Sequence, residues 1–255
     1  MKIKRAYWVL GIWIVIIAYF IVSFNTVVEN DEQVCNEVLV KIECDEGKAF
    51  VTAEEVLSLL KKNKINPEEV DMSDIDLARI ESLIAVHPSI ARVDAYKTIM
   101  GKLCIEVEQR KPVMRIINNS NRSAYMDQNG VMMPTSLNHT AHVIVFAGAI
   151  GIPNNLTKKQ ESSEQIRELF QLAEYINDDE LLSAQIEHVH VATNGELKLI
   201  PRVGKQVIYF GEAVNYERKF NKLKALYAQG FKKYGWTNYK AINLKYKNQV
   251  VCTKI

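Results

Sequence analysis

Cysteine is scarce in this sequence and follows no recognisable pattern. The 255 residues include four cysteines, and no two of them form a C-x-x-C pair. This spacing predicts neither a zinc site nor a disulfide framework. We expect small buried or unpaired residues at Cys35, Cys44, Cys104 and Cys252.

Catalytic motifs are also missing. The sequence contains no G-x-S-x-G, no glycine-rich phosphate loop and no Cys/His pair at a catalytic spacing. His188 and His190 would share one face of a strand, but a zinc site needs three or four ligands and no third candidate lies near them. We therefore predict no catalytic residue, no metal site and no cofactor.

Long apolar runs are limited to one segment, Ala6 to Phe24. Its 19 residues carry no charged side chain, and a helix needs roughly 20 such residues to cross a bilayer. Basic residues precede it and acidic residues follow it, so the positive-inside rule predicts a cytoplasmic tail of residues 1–5 and a translocated remainder. A cleaved signal peptide is the alternative, but the bulky residues after the run do not resemble a cleavage site.

Charge is unevenly distributed, although the formal net charge is only +2. Residues 29–87 include 15 acidic and 6 basic side chains, whereas residues 213–255 include one acidic and ten basic ones. This asymmetry favours two units with different partners. Because the basic residues would face away from the cytoplasm, we predict no nucleic-acid partner.

The periodicity of the first unit predicts the order strand, helix, helix, strand, strand. Apolar alternation and a Met100-Gly101 turn predict strands at residues 34–43, 89–98 and 102–108. A capping box of Thr52 with Glu55, and a cap at Asp74, predict helices at residues 52–63 and 75–87.

The second unit is predicted to be α+β with a largely antiparallel sheet, because strand follows strand. An Asn129-Gly130 turn predicts one hairpin, and Gly230 is the predicted C-cap of the last helix. Helices are predicted at residues 162–175 and 213–229, and strands at 124–127, 131–133, 142–146, 186–191, 195–200, 206–210, 239–246 and 249–253.

Four segments resemble one family when they are taken in order. The first unit resembles a POTRA domain, and His87–Ala95 with Gly101–Val113 is similar to the POTRA end of the bacterial division proteins FtsQ (DivIB). Ala124–Val131 looks like the family's Y-L-V-D-x-x-G-V hairpin, and Ala241–Tyr246 looks like its Y-I-D-L-R-Y strand, with Asn for the usual Asp and Lys for the usual Arg.

The resemblance implies an α+β fold with a transmembrane helix at 6–24, a β-α-α-β-β POTRA domain at 34–112 and a mostly antiparallel β domain with helices at 113–255. It also implies a non-enzymatic scaffold of the divisome in the cytoplasmic (inner) membrane at the division septum. Members of the family bind the FtsB–FtsL coiled-coil pair outside the membrane and help control septal peptidoglycan synthesis. The POTRA domain is implicated in recruiting other divisome proteins.

The predicted partner site is the edge of the C-terminal hairpin. Unpaired N–H and C=O groups at an edge can pair with a partner strand, and basic side chains beside it suit an acidic segment. The alternative is that the lysines only protect an exposed edge from aggregation. The expected partner-binding residues are Arg202, Ala241, Ile242, Asn243, Leu244, Lys245, Tyr246, Val250, Val251 and Cys252.

The second hypothesis is a membrane-anchored enzyme of type II topology. Asp74-Ile75-Asp76 matches the D-x-D motif of many glycosyltransferases. A transferase would place these carboxylates at a strand end that lines a cleft, whereas at a helix start capping is a sufficient role for Asp74.

Overall fold

The computed structural model describes residues 12–21, 23, 34–44, 48–156, 163–235 and 238–255. Residues 12–21 and 23 are helical, while the remainder of the predicted span at 6–24 and the predicted cytoplasmic tail lie outside the described residues. Among the helices that are described, none is both long and apolar enough to cross a membrane.

The chain forms two compact units. The first comprises residues up to 42 with 53–84 and 93–107, and the second comprises 43–52, 85–92 and 108–255. Two short segments, 43–52 and 85–92, therefore belong with the C-terminal unit although they precede it in the chain.

The first unit has the predicted order of elements. These are β1 (Glu37–Glu43), α1 (Ala53–Lys62), α2 (Leu77–Ala85), β2 (Ile90–Lys97) and β3 (Lys102–Gln109), with 3-10 turns at Pro67–Glu69 and Met72–Asp74. The strands form a sheet in the order β1-β3-β2. Alternate residues of β3 and one face of each helix are buried, which is the pattern expected where helices cover one face of a sheet. The β-α-α-β-β prediction is confirmed.

The start of α2 differs from the prediction. Asp74 ends a 3-10 turn, and the helix begins three residues later at Leu77. Its N-terminal cap is Asp76, whose Oδ1 accepts the backbone N–H of Arg79 at 3.0 Å. The predicted Asp74 cap was wrong because a second aspartate follows two residues later and satisfies the first turn of the helix instead.

The second unit is built on one nine-stranded sheet. Its strands are β4 (Pro112–Asn118), β5 (Ser123–Asp127), β6 (Met132–Pro134), β7 (Ile144–Gly148), β8 (Ile186–Val191), β9 (Leu197–Pro201), β10 (Val207–Gly211), β11 (Tyr239–Asn243) and β12 (Val251–Lys254). Their order across the sheet is β12-β11-β10-β9-β8-β7-β4-β5-β6. Five of the eight described pairs are antiparallel, while β4–β7, β7–β8 and β10–β11 are parallel.

Helices cover one face of this sheet and form its core. They are α3 (Glu164–Asn177), α4 (Glu180–Gln185) and α5 (Tyr216–Ala225). Phe220 of α5 stacks on Tyr175 of α3 with ring centroids 5.7 Å apart, and it lies 4.9 Å from Phe210 of β10. These rings join both helices to the sheet, and together with the aliphatic residues around them they form a single buried cluster.

The last helix ends differently from the prediction. After α5 the chain continues through a π-helical turn, Leu226–Phe231, and the short helix α6 (Lys232–Tyr234). Gly235, with φ +79°, ends the helix. The predicted cap at Gly230 was wrong because the π turn buries Phe231, which stacks on Tyr239 with centroids 5.6 Å apart, and so keeps the chain helical past that glycine.

Candidate functional site at the end of the sheet

The predicted C-terminal hairpin lies at one end of the nine-stranded sheet. β11 pairs with β12 in antiparallel register, Ala241 opposite Thr253 and Asn243 opposite Val251. On its other side β11 pairs with β10 in parallel register, Ile208 opposite Ile242. Both edges of β11 are therefore occupied, and at this end of the described sheet the open outer edge belongs to β12.

One hydrogen bond at the C-terminus shows which backbone N–H groups of β12 face away from the sheet. The backbone N–H of Ile255 donates to the carbonyl of Asn238 at 3.2 Å, so it faces inward toward β11. Backbone N–H groups alternate sides along a strand. The N–H groups of Cys252 and Lys254 consequently face outward, away from the sheet.

The ten predicted contact residues fall into two groups. Ile242 and Leu244 are fully buried in the core, and the Leu244 N–H extends the sheet by donating to the Tyr209 carbonyl at 2.9 Å. Their role is to hold the hairpin on the sheet. Those with at least partly accessible side chains are Arg202, Ala241, Asn243, Lys245, Tyr246, Val250, Val251 and Cys252.

Lys245 and Tyr246 lie in the loop between β11 and β12. Tyr246 is half exposed. The Lys245 ammonium donates to Glu196 Oε1 at 2.5 Å. This hydrogen bond raises the pKa of Lys245 and lowers the pKa of Glu196. Because both side chains are more than a third exposed, the ion pair orients Lys245 more than it stabilises the fold.

Arg202 lies at the opposite end of the strands from Lys245. It directly follows Pro201, the last residue of β9, whereas Leu197, the first residue of β9, lies opposite Gly211. A Cβ built on Gly211 would be 3.1 Å from Lys245 Cγ. Five residues of β9 therefore separate the two cations along the strand, a distance of about 17 Å.

A continuous row of side chains on the helix-free face leads to β12. The register places His190 beside Lys198, Lys198 beside Tyr209, Tyr209 beside Asn243, and Asn243 beside Val251. The Lys198 ammonium lies 5.7 Å from the centroid of the Tyr209 ring, within the range of a cation–π contact.

Lys198 and Tyr209 are surface residues beside the hairpin that were not predicted from the sequence. Their signal is the alternation of β9 and β10. Lys198 lies between the buried Leu197 and Leu199, and Tyr209 lies between the buried Ile208 and Phe210. Alternation identifies the outward face of each strand. The neighbours across the sheet follow only from the pairing.

The His, Asp and Cys side chains considered for metal binding or catalysis do not form a metal site in the described part of the chain. In the described residues no group of three His, Cys, Asp or Glu side chains could hold a metal ion. Asp74 and Asp76 line a cleft of about 320 Å³ in the first unit, but at a 3-10 turn and a helix start. The four cysteines are unpaired, and burial raises the pKa of Cys252.

Comparison with known proteins identifies both parts of the chain. Residues 111–253, more than half of the chain, match the family described as FtsQ/DivIB, C-terminal related. Residues 33–108 match a POTRA-like domain. A cell division protein FtsQ from Rhodothermus marinus is 26% identical over 183 residues, which cover 70% of this chain and 65% of that relative. The matched part spans less than two thirds of the relative's length. Because the family match covers more than half of the chain, the chain belongs to the FtsQ/DivIB family of cell division proteins.

Proposed function

We propose that this protein is a non-enzymatic scaffold of the division machinery. In this proposal residues 6–24 anchor it in the cytoplasmic membrane, residues 1–5 are cytoplasmic, and a POTRA domain at 34–112 and a β domain at 113–255 lie outside. The protein acts at the division septum, where it helps control septal peptidoglycan synthesis. Family membership and the order of the two domains support this role.

The observation that carries the proposal is the open edge of β12. The strand ends the sheet, pairs with β11 on one side and presents the N–H groups of Cys252 and Lys254 on the other. A partner segment can add to such an edge as a further strand, with backbone hydrogen bonds supplying affinity and side chains supplying specificity. The partners we propose are FtsB- and FtsL-like coiled-coil membrane proteins.

Charge favours an acidic partner segment. Residues 213–255 contain ten basic side chains and one acidic one. Lys254 lies on β12 itself, and Lys245 lies in the loop that precedes it. Arg202 lies a further three strands away across the sheet, so it can meet only a longer partner segment that crosses the helix-free face. Exposed charges of this kind speed encounter more than they raise affinity.

Other divisome proteins are proposed to bind the POTRA domain. Its sheet has β3 in the centre, so β1 and β2 are both terminal strands in the described residues. The nearby surface is more acidic than the β domain: residues 29–87 contain 15 acidic and 6 basic side chains. The two domains therefore offer strand edges in opposite electrostatic surroundings.

The enzyme alternative gains no support from the positions of its carboxylates. A sugar-nucleotide site needs both carboxylates of the D-x-D to hold a metal ion. Here Asp76 is engaged as a helix cap, and Asp74 lies in the turn before it.

Co-purification with an FtsB- and FtsL-like pair tests the proposal. Removal of residues 251–255 takes away β12 alone, whereas a cut at residue 239 would also remove Ile242 from the core. We expect the shortened protein to lose the pair and Lys245→Glu to weaken its binding. Lys61→Glu makes the same charge change at an exposed position of α1. It is the control and should bind normally. Undiminished capture by the shortened protein would exclude β12 as the site.

A further inference from the structure

The loop that joins β11 to β12 is held by one side chain from a different element. Lys222, on helix α5, donates from Nζ to the carbonyl oxygens of Leu244 at 2.9 Å, Tyr246 at 2.5 Å and Gln249 at 3.5 Å. An ammonium group has three donors, and here all three converge on backbone oxygens of a single loop. A bound metal ion can hold a loop in this way through its carbonyl oxygens. Here the Lys222 ammonium takes that position.

The carbonyl acceptors around Lys222 suit a structural cation, whereas its other surroundings disfavour the charge. Its side chain is half-buried, and burial together with the neighbouring Arg218 lowers its pKa. The three acceptors are backbone carbonyl oxygens, so the contact depends on the loop conformation and not on a carboxylate partner. If the loop opened, the ammonium would lose several acceptors at once.

The loop it holds is continuous with the proposed partner edge. Gln249 lies two residues before β12, and Tyr246 is one of the proposed contact residues. β12 is only four residues long and pairs on one side in the described sheet, so its own hydrogen bonds restrain it weakly. The buried Leu244 fixes the other end of the loop to the sheet.

We propose that Lys222 is a positioning residue for the partner-binding edge: its ammonium closes the β11–β12 loop around three carbonyls and so keeps β12 in place for a partner strand. This inference rests on the proposed function for the identity of the edge, but the closure of the loop can be tested without a partner. Lys222 itself faces the loop and does not contact the partner.

Hydrogen–deuterium exchange on the full-length protein in detergent provides the partner-free test. Lys222→Met keeps the length of the side chain and removes the donors, and Arg218→Met, exposed one helical turn earlier, is the matched control. We expect the amides of Val251, Thr253 and Ile255, which face β11, to exchange at least tenfold faster in Lys222→Met, with the α3 and β8 amides unchanged. Arg218→Met should exchange within twofold of the wild type throughout. Exchange of the Val251, Thr253 and Ile255 amides within twofold of the wild type in Lys222→Met would overturn the proposal.

Binding of the FtsB- and FtsL-like pair provides the second readout. We expect Lys222→Met to bind at least fivefold more weakly than both the wild type and Arg218→Met. Normal affinity despite fast exchange would overturn the positioning role. If the wild type itself does not bind the pair, the proposed function fails, and the exchange experiment still decides whether Lys222 closes the loop.

Discussion

Proline at position 254 should block the partner edge while leaving the fold intact. The Lys254 N–H faces outward, because the Ile255 N–H donates inward to Asn238 and successive amides alternate sides. Proline removes this outward donor and adds a ring where the partner backbone would lie. Proline is tolerated on edge strands when the missing N–H faces solvent. The unbound protein should therefore keep its stability.

The size of the effect follows from one lost backbone hydrogen bond. Its net contribution is about 1 kcal/mol, and a partner carbonyl left buried without a donor costs about 1–3 kcal/mol. Since about 1.4 kcal/mol corresponds to a tenfold change in affinity, Lys254→Pro should weaken binding of the proposed pair by about 5- to 150-fold. The assay is a titration of the purified pair against the full-length protein, with thermal unfolding of each variant recorded alongside.

Lys254→Ala separates the backbone from the side chain. It keeps the N–H and removes the exposed charge, so it should bind within about threefold of the wild type, as expected for a rim charge. Equal affinity of Lys254→Pro and the wild type, with both proteins folded, would refute strand addition at β12. Equal losses in the two variants would mean that the side chain, and not the edge, makes the contact.

Two further predictions concern stability. Asp127 is buried, accepts a hydrogen bond from Arg110 Nη1 at 2.7 Å and caps the β5–β6 turn. Asp127→Ala should therefore lower the free energy of unfolding by about 3 kcal/mol. A decrease of less than about 1 kcal/mol in urea titration would contradict this. Asp179 hydrogen-bonds Lys224 and caps α4, which lowers its pKa. A lowered carboxyl pKa stabilises the fold above the unfolded value, near 4, and this stabilisation is lost as the pH falls through the folded value. The advantage of the wild type over Asp179→Asn, which retains the cap, should therefore be full at pH 7 and shrink below about pH 4; a constant difference across urea titrations from pH 3 to 7 would contradict it.

Local features of the fold could be predicted because their causes lie within a few residues. The Asn129-Gly130 turn joins β5 to β6 as expected, with φ +71° at Gly130, and the predicted strand at 186–191 has the observed limits. Cap positions were harder to predict. Asp74 and Asp76 are both competent caps, and the choice depends on the 3-10 turn that precedes the helix.

Pairing between distant strands could not be predicted in the same way. The parallel pairs join Met114 to Ile144, Phe146 to Val189 and Ile208 to Ile242. Nothing in the alternation of a strand identifies its neighbour, and strand after strand suggested a largely antiparallel sheet. The parallel β10–β11 pair has a direct consequence for the site, because it occupies the edge of β11 and narrows the predicted two-strand edge to β12.

The departures of this chain from the family pattern fall on its outward positions. In Ala241–Tyr246 the buried residues are Ile242 and Leu244, and the two replaced residues, Asn243 and Lys245, alternate with them. Asn243 Oδ1 accepts the Lys245 N–H at 3.0 Å, a bond that the usual aspartate could also accept. The replacement thus preserves the turn and removes a negative charge beside the edge.

Lysine in place of arginine changes the partner chemistry in a related way. Arginine presents a planar fork suited to holding one carboxylate through two hydrogen bonds, whereas lysine is a compact charge with rotating donors. In the free protein the Lys245 ammonium is engaged by Glu196, so a partner carboxylate must compete with that contact. Together the two replacements favour a partner segment that presents carboxylates near Asn243, because Lys245 can bind a carboxylate without strict geometry. We therefore expect Asn243→Asp to weaken capture of an acidic partner while leaving the loop, and the exchange of its amides, unchanged.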